Sequence, residues 1–123
     1  MHTLAARARG ARGNAAERMA ERFLAGHGVV TIARNFRTRR GEIDLIARDG
    51  GTLVFVEVRL RARNDYGGAA ASITTAKQQR LVAAASQYLA TWRGALPSCR
   101  FDAVLLDALD PTRIEWLQDV ITL

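Results

Sequence analysis

Two carboxylate side chains in the middle of the chain have the spacing of a cross-strand pair. Asp44 lies in a segment with the alternating pattern of a β-strand, and Glu57 lies in an apolar run typical of a buried strand. The glycines Gly50 and Gly51 between them favour a two-residue hairpin turn whose central residues need positive φ. With that turn Asp44 faces Glu57 on one side of the sheet, whereas a three-residue loop would put them on opposite faces.

Such a pair of carboxylates is unfavourable unless another group offsets its charge. Directly opposed residues have Cβ atoms roughly 5 Å apart. Two negative charges at about 5 Å repel by roughly 3 kcal/mol at an effective dielectric constant of about 20. One offset is a divalent cation, since carboxylate oxygens are ligands that suit Mg²⁺ and Mn²⁺. The alternatives are a proton held by one carboxyl, or neutralisation by Arg59 and its neighbours.

Several short motifs resemble those of the YraN-like family of uncharacterised bacterial proteins. The motifs are Ala16-Glu17, Asn35-Phe36-Arg37, GEIDLIA from Gly41, FVEV from Phe55, Lys77-Gln78 and Arg100-Phe101-Asp102. The family is assigned to the restriction-endonuclease-like, or PD-(D/E)xK, superfamily, whose nuclease motif has an Asp on one strand and Glu-x-Lys on the next. The chain departs from this motif because Arg59 stands where the family has its lysine.

The resemblance implies a nuclease that uses Mg²⁺ or Mn²⁺ to hydrolyse phosphodiester bonds of DNA or RNA, including branched or structured substrates. Asp44 and Glu57 would hold the metal ion, and Arg59 would stabilise charge in the transition state. An arginine stays protonated and cannot accept a proton from water. The alternative is therefore a catalytically impaired nucleic-acid-binding protein with a relict nuclease site. A purely structural domain, with Glu42 and Arg59 as a cross-strand ion pair, is a third interpretation.

Glu17 has two interpretations. Related junction-cleaving nucleases use a Glu on the first helix as an extra metal ligand, and the resemblance gives that role to Glu17. The spacing Asn14-x-x-Glu17 also resembles a capping box, in which the Glu bonds back to the amide of the capping residue.

Lys77 is the only lysine in the chain, and it lies one turn into the helix predicted after the Glu57 strand. Its neighbours at helical spacing point towards the sheet, so its ammonium could reach the carboxylate pair. We expect Lys77 to take over the catalytic role that the family gives to the residue at position 59. The alternative is an ordinary surface lysine.

The charge of the chain is concentrated at its N-terminal end. Residues 1–40 hold nine arginines against Glu17 and Glu21, a net charge of +7, and the remainder has a net charge of −1. This asymmetry favours a nucleic-acid partner, expected to be DNA, although a solvated arginine-rich surface would look the same. The candidate nucleic-acid-binding residues are Arg37, Arg39, Arg40, Arg61, Arg63, Gln78 and Arg80.

Length and composition predict one globular domain in a reducing compartment. The chain has 123 residues, of which 49% are hydrophobic, enough for a core of its own. A single cysteine excludes an internal disulfide and fits the cytoplasm. No apolar run approaches the roughly 20 residues of a membrane span, so no membrane association is expected. A symmetric homodimer is a further expectation, because enzymes that cut two strands often act as dimers.

The predicted fold is α/β: a single domain with an αβββαβ(β) core and a mixed sheet flanked by helices, the order of restriction-endonuclease-like proteins. We expect residues 1–13 to form a flexible basic arm and residues 14–123 to form the domain. The predicted elements are a helix over 15–25, a strand over 29–34, the hairpin within 41–63, a helix over 75–92 and strands over 100–106 and 113–117.

Overall fold

The computed structural model describes residues 4–61, 73–107 and 109–121, together with their side chains except those of residues 4–12 and 61. The elements in chain order are α1 (Leu4–Gly26), β1 (Val30–Arg37), β2 (Glu42–Asp49), β3 (Thr52–Arg61), α2 (Thr75–Ala90), β4 (Ser98–Asp107) and β5 (Ile114–Leu117). This order confirms the predicted succession of helices and strands. Among these described segments, no helix is both long enough and apolar enough to span a membrane.

The strands form one mixed sheet in the order β1-β2-β3-β4-β5. β3 and β4 are parallel, and the other neighbouring strands are antiparallel. Parallel neighbours need a long crossover connection, and α2 belongs to the crossover between β3 and β4. The predicted single α/β domain with a mixed sheet is confirmed.

The sheet has a hydrophobic core on each face. Val56 of β3 packs in the cluster that contains Leu24 of α1, whereas its neighbour Phe55 packs in the cluster that contains Leu81 of α2. Successive side chains of a strand point to opposite faces, so the two helices cover opposite sides of the sheet. Burial on both faces explains the continuous apolar run of β3. Each fully buried side chain of this size contributes roughly 1.5–3 kcal/mol to stability.

The β2–β3 hairpin has the predicted register over its paired part. The partners run from Asp49 opposite Thr52 to Leu45 opposite Val56, which makes Gly50-Gly51 the two-residue loop. Only the first of the two glycines has positive φ, with Gly50 at 59°. The expectation of positive φ at both was therefore wrong. A type II′ turn, which needs positive φ only at its first central residue, accounts for the difference.

α1 begins at Leu4 rather than at the predicted residue 15. Residues 4–13 consist mainly of Ala, Arg and Leu, which are strong helix formers, and they contain no proline to stop the helix. The backbone of the basic arm is thus continuous with α1 from Leu4 onward. The contribution of this arm to nucleic-acid binding stays a prediction.

β1 extends three residues beyond its predicted end at Arg34, because Phe36 belongs to the sheet and its core. The ring of Phe36 packs edge-on against Tyr88 of α2, with ring centroids 5.3 Å apart. Asn35-Phe36-Arg37 therefore belongs to β1, although the predicted strand ended before it. The hairpin turn that follows begins at Thr38.

α2 starts where the sequence predicts. The side chain of Thr74 accepts a hydrogen bond from the backbone N–H of Lys77 at 3.2 Å, which satisfies one of the free amides of the first turn. The helix ends at Ala90 with Thr91 as its C-cap, slightly before the predicted end at Trp92. The cap fixes which residues of the first turn lie above the sheet.

Candidate functional site

A kink in the β1–β2 pair determines where Asp44 lies. Ile43 packs in the core under α2, yet Leu45 packs in the core under α1. On a regular strand these two side chains would share a face. Asn35 of β1 and Asp44 of β2 lie between the paired positions Arg34–Leu45 and Phe36–Ile43, and Asn35 has the left-handed φ of 52°. Asn tolerates this conformation better than most residues. The faces of the strand pair therefore exchange at Asp44, an irregularity of the kind that re-aims a side chain.

The Asp44 carboxylate takes the place of a backbone acceptor in the sheet. The paired ladder between β2 and β3 ends at Leu45 and Val56. Beyond it, the backbone N–H of Val58 donates to Oδ2 of Asp44 at 2.8 Å. Asp44 and Glu57 are therefore not directly opposed ladder partners as the register predicted. The kink and this side-chain bond have interrupted the pairing.

Asp44 and Glu57 nevertheless line the same cavity. This cavity, here called the acidic cleft, has a volume of about 190 Å³. Its lining residues are Glu42, Asp44, Glu57, Lys77, Arg80 and Leu81. Strand β2 supplies two carboxylates, β3 supplies one, and the first turns of α2 supply the basic residues. The structure thus brings together the carboxylate pair that the sequence singled out.

Lys77 lies beside Glu57 in the acidic cleft. Its Nζ is 3.8 Å from Glu57 Oε1, and the two side chains are 31% and 15% exposed. A separation of this size is an ion pair and not a hydrogen bond. The predicted placement of the lone lysine at the carboxylate site is what the structure shows. Its catalytic role stays a prediction.

Burial raises the pKa of both cleft carboxyls despite the nearby Arg59. The pKa of Asp44 rises from 3.8 to about 6, mainly through burial, while its hydrogen bond from Val58 acts in the opposite direction. The pKa of Glu57 rises from 4.5 to about 7, first through burial and then through the charge of Asp44. Arg59 lowers both pKa values but is outweighed. Without a cation, these two carboxyls therefore release their protons at a higher pH than free carboxyls do.

Glu17 approaches the same region from α1. Its Oε2 accepts a hydrogen bond from Asn35 Nδ2 at 3.2 Å. Burial, followed by the charges of Asp44 and Glu42, raises the pKa of Glu17 to about 7. The capping-box interpretation is wrong, because α1 begins at Leu4 and Asn14 lies inside the helix. Glu17 lines a separate cavity of about 220 Å³ with Asn35, not the acidic cleft.

The donor atoms of the acidic cleft fit a metal ion that keeps much of its water. Within the described parts of the chain, no group of three or more His, Cys, Asp and Glu side chains is arranged to hold a metal. Mg²⁺ is usually bound through one or two carboxylates and several waters, and Asp44 with Glu57 can supply these. Asn35 Oδ1 is buried beside Glu17 without a hydrogen-bond partner among the described residues. A metal-binding role for Glu17 stays a prediction.

The end of β1 and the turn that follows it carry three of the predicted arginines. The backbone N–H of Thr38 donates to the carbonyl of Gly41 at 2.8 Å, and this bond closes the turn. Arg39 and Arg40 are exposed in the turn. Arg37, at the end of β1, pairs with Glu42 at 3.2 Å, so binding of a phosphate by Arg37 would compete with this ion pair.

The other candidate nucleic-acid contacts lie in different places. Arg80 lines the acidic cleft, whereas Gln78 lines a second cleft together with Arg40. The side chain of Arg61 and the whole of Arg63 lie outside the described residues. The binding roles of all these residues stay predictions.

Comparison with known proteins assigns the chain to a family. A sequence model of the uncharacterised protein family UPF0102 matches residues 16–106. The chain belongs to this family. A UPF0102 protein of Nitrosospira multiformis is 56% identical over 108 residues, which are 88% of this chain and 90% of the relative. A UPF0102 protein of Ralstonia nicotianae is 55% identical over 113 residues, 89% of this chain and 85% of the relative. A UPF0102 protein of Methylobacillus flagellatus is 53% identical over 107 residues, which are 87% of this chain and 93% of the relative.

UPF0102 membership confirms the resemblance to the YraN-like family. The matched segment contains Glu17, Asp44, Glu57 and Lys77. The further placement in the restriction-endonuclease-like superfamily stays a hypothesis.

The motif Arg100-Phe101-Asp102 has a structural explanation in this UPF0102 chain. Asp102 is only 1% exposed. It accepts hydrogen bonds from Trp116 Nε1 and the Asp119 amide, both at 3.0 Å, and from Arg100 Nε at 3.1 Å. Since three donors satisfy this buried carboxylate, it fastens the C-terminal segment to β4 and is not a site residue.

Sequence reasoning missed two positions that shape the site of the UPF0102 chain. One is Asn35, whose left-handed φ accompanies the kink at Asp44. The other is Gly41, where an added Cβ would lie 2.8 Å from the carbonyl carbon of Arg80. Only a glycine lets the β1–β2 turn approach the α2 backbone this closely. The asparagine and glycine were visible in the motifs, but their partners are distant in sequence.

Proposed function

We propose that this UPF0102 protein is a metal-dependent nuclease that hydrolyses phosphodiester bonds of DNA or RNA. The supporting observation is the acidic cleft itself, in which Asp44, Glu57 and Lys77 share one cavity. Catalysis of phosphoryl transfer consists almost entirely of positioning and electrostatic stabilisation. A carboxylate pair beside a single ammonium supplies both kinds of charge needed at one phosphate. The proposal includes the placement of the chain among restriction-endonuclease-like proteins.

Asp44 and Glu57 would hold Mg²⁺ or Mn²⁺. The bound ion would polarise the phosphate and lower the pKa of a coordinated water. Asp44 is fixed by the Val58 amide through one oxygen, which leaves its second oxygen for a ligand. Because the pKa values of both carboxyls are raised, cation binding must displace protons near neutral pH.

Lys77 would act where the nuclease motif has its lysine. Its ammonium lies near Glu57, and Arg59 does not line the cleft formed by the described residues. An ammonium can change its protonation state when partly buried, whereas a guanidinium does not do so readily. Lys77 would therefore orient the attacking water and stabilise the charge that develops on the phosphate. Arg59 would contribute positive charge only.

A second candidate is a nucleic-acid-binding protein with a relict nuclease site. It is favoured by Arg59 at the motif position and by the lack, in the described segments, of a three-residue metal-ligand group. Both candidates share binding to nucleic acid. They differ in whether a phosphodiester bond is broken.

A cleavage assay separates the two candidates. The wild-type protein is incubated with branched, single-stranded and duplex DNA and RNA in Mg²⁺, Mn²⁺ or EDTA. We expect cleavage only with metal, and a loss of roughly 100-fold or more in Asp44→Asn, since both metal binding and charge are reduced. Asp49→Asn is the matched control. Asp49 lies on the same strand outside the cleft, paired with Arg100 at 2.9 Å.

Retained cleavage by Asp49→Asn would assign the loss in Asp44→Asn to the acidic cleft. Binding of these substrates without metal-dependent cleavage by the wild type would reject the nuclease and support the relict site.

A further inference from the structure

A second and larger cleft lies beside the acidic cleft, on another flank of α2. Here called the amide cleft, it has a volume of about 600 Å³. Its lining includes Arg40, Gln78, Gln79, Val82, Ser86 and Ile121. The volume falls within the range of pockets that bind small organic ligands, about 300–1,000 Å³.

The lining of the amide cleft differs in chemistry from that of the acidic cleft. Of the described residues that line it, only Arg40 is charged. Gln78 Nε2 donates to the carbonyl of Ile73 at 3.2 Å, which orients this amide and leaves its oxygen to accept another bond. Val82 and Ile121 add apolar surface. Neutral amides, an apolar wall and one guanidinium suit a nucleobase with its phosphate better than a metal ion.

The amide cleft and the acidic cleft lie on either side of the contact between the β1–β2 turn and α2. Gly41 packs against the backbone of Arg80, where the β1–β2 turn meets α2. On the two sides of Gly41 in the chain, Arg40 lines the amide cleft and Glu42 lines the acidic cleft. Arg40 and Glu42 are two residues apart, so their Cα atoms lie within about 7 Å of each other, and one nucleic-acid strand can contact both clefts.

We propose that the amide cleft holds one unpaired nucleotide of the substrate strand, adjacent to the phosphate bound in the acidic cleft. The inference rests on the proposed function and names its substrate class. A base within a duplex has its edge occupied by its partner and its faces by its neighbours, so it cannot enter a protein cleft without leaving the stack. The preferred substrate is therefore DNA with a flap, gap or branch.

Binding measured in EDTA tests the amide cleft without any cleavage. The probes are a blunt DNA duplex and the same duplex with a short unpaired flap that carries 2-aminopurine. We expect the wild type to bind the flap DNA about tenfold or more tightly than the duplex, since one or two hydrogen bonds from the cleft amides to the base can supply this factor. The 2-aminopurine fluorescence should change on binding.

Ser86→Trp fills the cleft from an exposed position of α2 and should make the two affinities equal while duplex affinity is unchanged. Gln87→Trp is the matched control. Gln87 is the next exposed residue of the helix and does not line the amide cleft, so this variant should keep the preference.

Equal affinity of the wild type for both probes, or a full flap preference in Ser86→Trp, would overturn the inference. A parallel assay in Mg²⁺ separates this failure from failure of the proposed function. Equal cleavage of duplex and flap DNA would keep the nuclease and reject the nucleotide cleft. A flap preference lost in Ser86→Trp, without cleavage by the wild type, would keep the cleft and reject the nuclease.

Discussion

At the scale of single residues, the acidic cleft contains a lysine from α2, whereas the position that corresponds to the lysine of the proposed nuclease motif is Arg59. Arg59 follows Glu57 at the motif spacing, and its charge lowers the pKa of the cleft carboxyls Asp44 and Glu57. Lys77 comes from another element and lies 3.8 Å from Glu57. If the site is catalytic, the two basic residues should therefore respond differently to substitution.

Substitution of Lys77 should impair cleavage more than substitution of Arg59. We expect Lys77→Ala to lower the single-turnover rate in Mg²⁺ by roughly 100-fold or more, the usual size of a lost acid–base or electrostatic group. Lys77→Arg keeps the charge and should recover only part of the rate, because a guanidinium is a poor proton acceptor. Arg59→Lys should leave the rate unchanged or raise it. Normal cleavage by Lys77→Ala would show that the lysine is not catalytic.

The stability of the metal-free protein should fall as pH rises. Glu17 and Glu57 have pKa values of about 7, and Asp44 about 6, in the folded protein, against 4.5, 4.5 and 3.8 without these shifts. Between about pH 4 and pH 7 the folded state thus binds more protons than the unfolded state, so the free energy of unfolding decreases with pH. Melting curves in EDTA from pH 5 to pH 8 measure this trend.

Asp44→Asn should reduce the decrease in unfolding free energy with pH, because it removes one of the repelling charges. The amide oxygen of the asparagine can still accept the hydrogen bond from the Val58 N–H. At pH 8 in EDTA we expect a gain of about 1 kcal/mol, or roughly 4 °C in melting temperature. Mg²⁺ should raise the melting temperature of the wild type but not of this variant. Asp49→Asn serves as the control and should keep both the trend and the Mg²⁺ effect. If the free energy of unfolding of the wild type in EDTA instead rose towards pH 8, the raised pKa values of these carboxyls would be contradicted.

At the scale of secondary-structure elements, the kink in β1 and β2 determines the face on which Asp44 lies, and it coincides with a contact to Glu17 of α1. Asn35 has a left-handed φ and donates to Glu17. Asn35 can thus contribute to stability in two ways, through its left-handed backbone conformation and through its hydrogen bond to Glu17. Substitutions can separate the two contributions.

Glycine should be tolerated better than alanine at position 35. Asn35→Gly keeps access to positive φ, whereas Asn35→Ala must adopt it at a cost of about 1–2 kcal/mol. Both lose the hydrogen bond to Glu17, so their difference in urea unfolding reports the backbone alone. The matched pair at neighbouring Arg34, which lacks positive φ, should give the opposite order because glycine weakens a regular strand. If the glycine variant were more stable than the alanine variant at both positions, or less stable at both, the left-handed conformation at Asn35 would be contradicted.

The local parts of the fold were predictable, and the parts that depend on distant partners were not. The hairpin register follows from Gly50-Gly51 and the apolar pattern around it, and the start of α2 follows from Thr74. These signals lie within a few residues of the structure they specify. The left-handed Asn35 and the close approach of Gly41 to Arg80 involve contacts across elements, so no local pattern predicts them. The capping box failed because residues further upstream continue α1.

At the scale of the whole molecule, the acidic cleft is embedded in a protein of net charge +6. The arginines Arg39 and Arg40 at the β1–β2 turn are exposed, while Asp44 and Glu57 of the cleft are partly buried. A surface of this kind attracts a polyanion over a long range and leaves the negative groups for a cation or for protons.

Nucleic-acid affinity should depend on salt through the turn arginines. Each phosphate contact contributes about 0.9 to the slope of log K against log salt concentration. We expect the double variant Arg39→Ala/Arg40→Ala to lower the slope for duplex DNA by about 2. The control Arg48→Ala/Arg93→Ala removes the same charge from exposed positions that line neither cleft. An equal loss of slope in both variants, or a wild-type affinity insensitive to salt, would contradict a contact at the turn.

The location of the only lysine also gives the protein a natural spectroscopic label. Reductive methylation with ¹³C-formaldehyde modifies lysine side chains and the N-terminal amino group, whose usual pKa values of about 10.4 and 7.7–8.0 distinguish their signals. In this chain the lysine signal can come only from Lys77, beside Glu57. One methyl resonance of the unmutated protein therefore reports directly on the acidic cleft. Its chemical shift should change with pH, and with added metal ion or nucleic acid if either binds in the cleft, without isotopic enrichment of the protein.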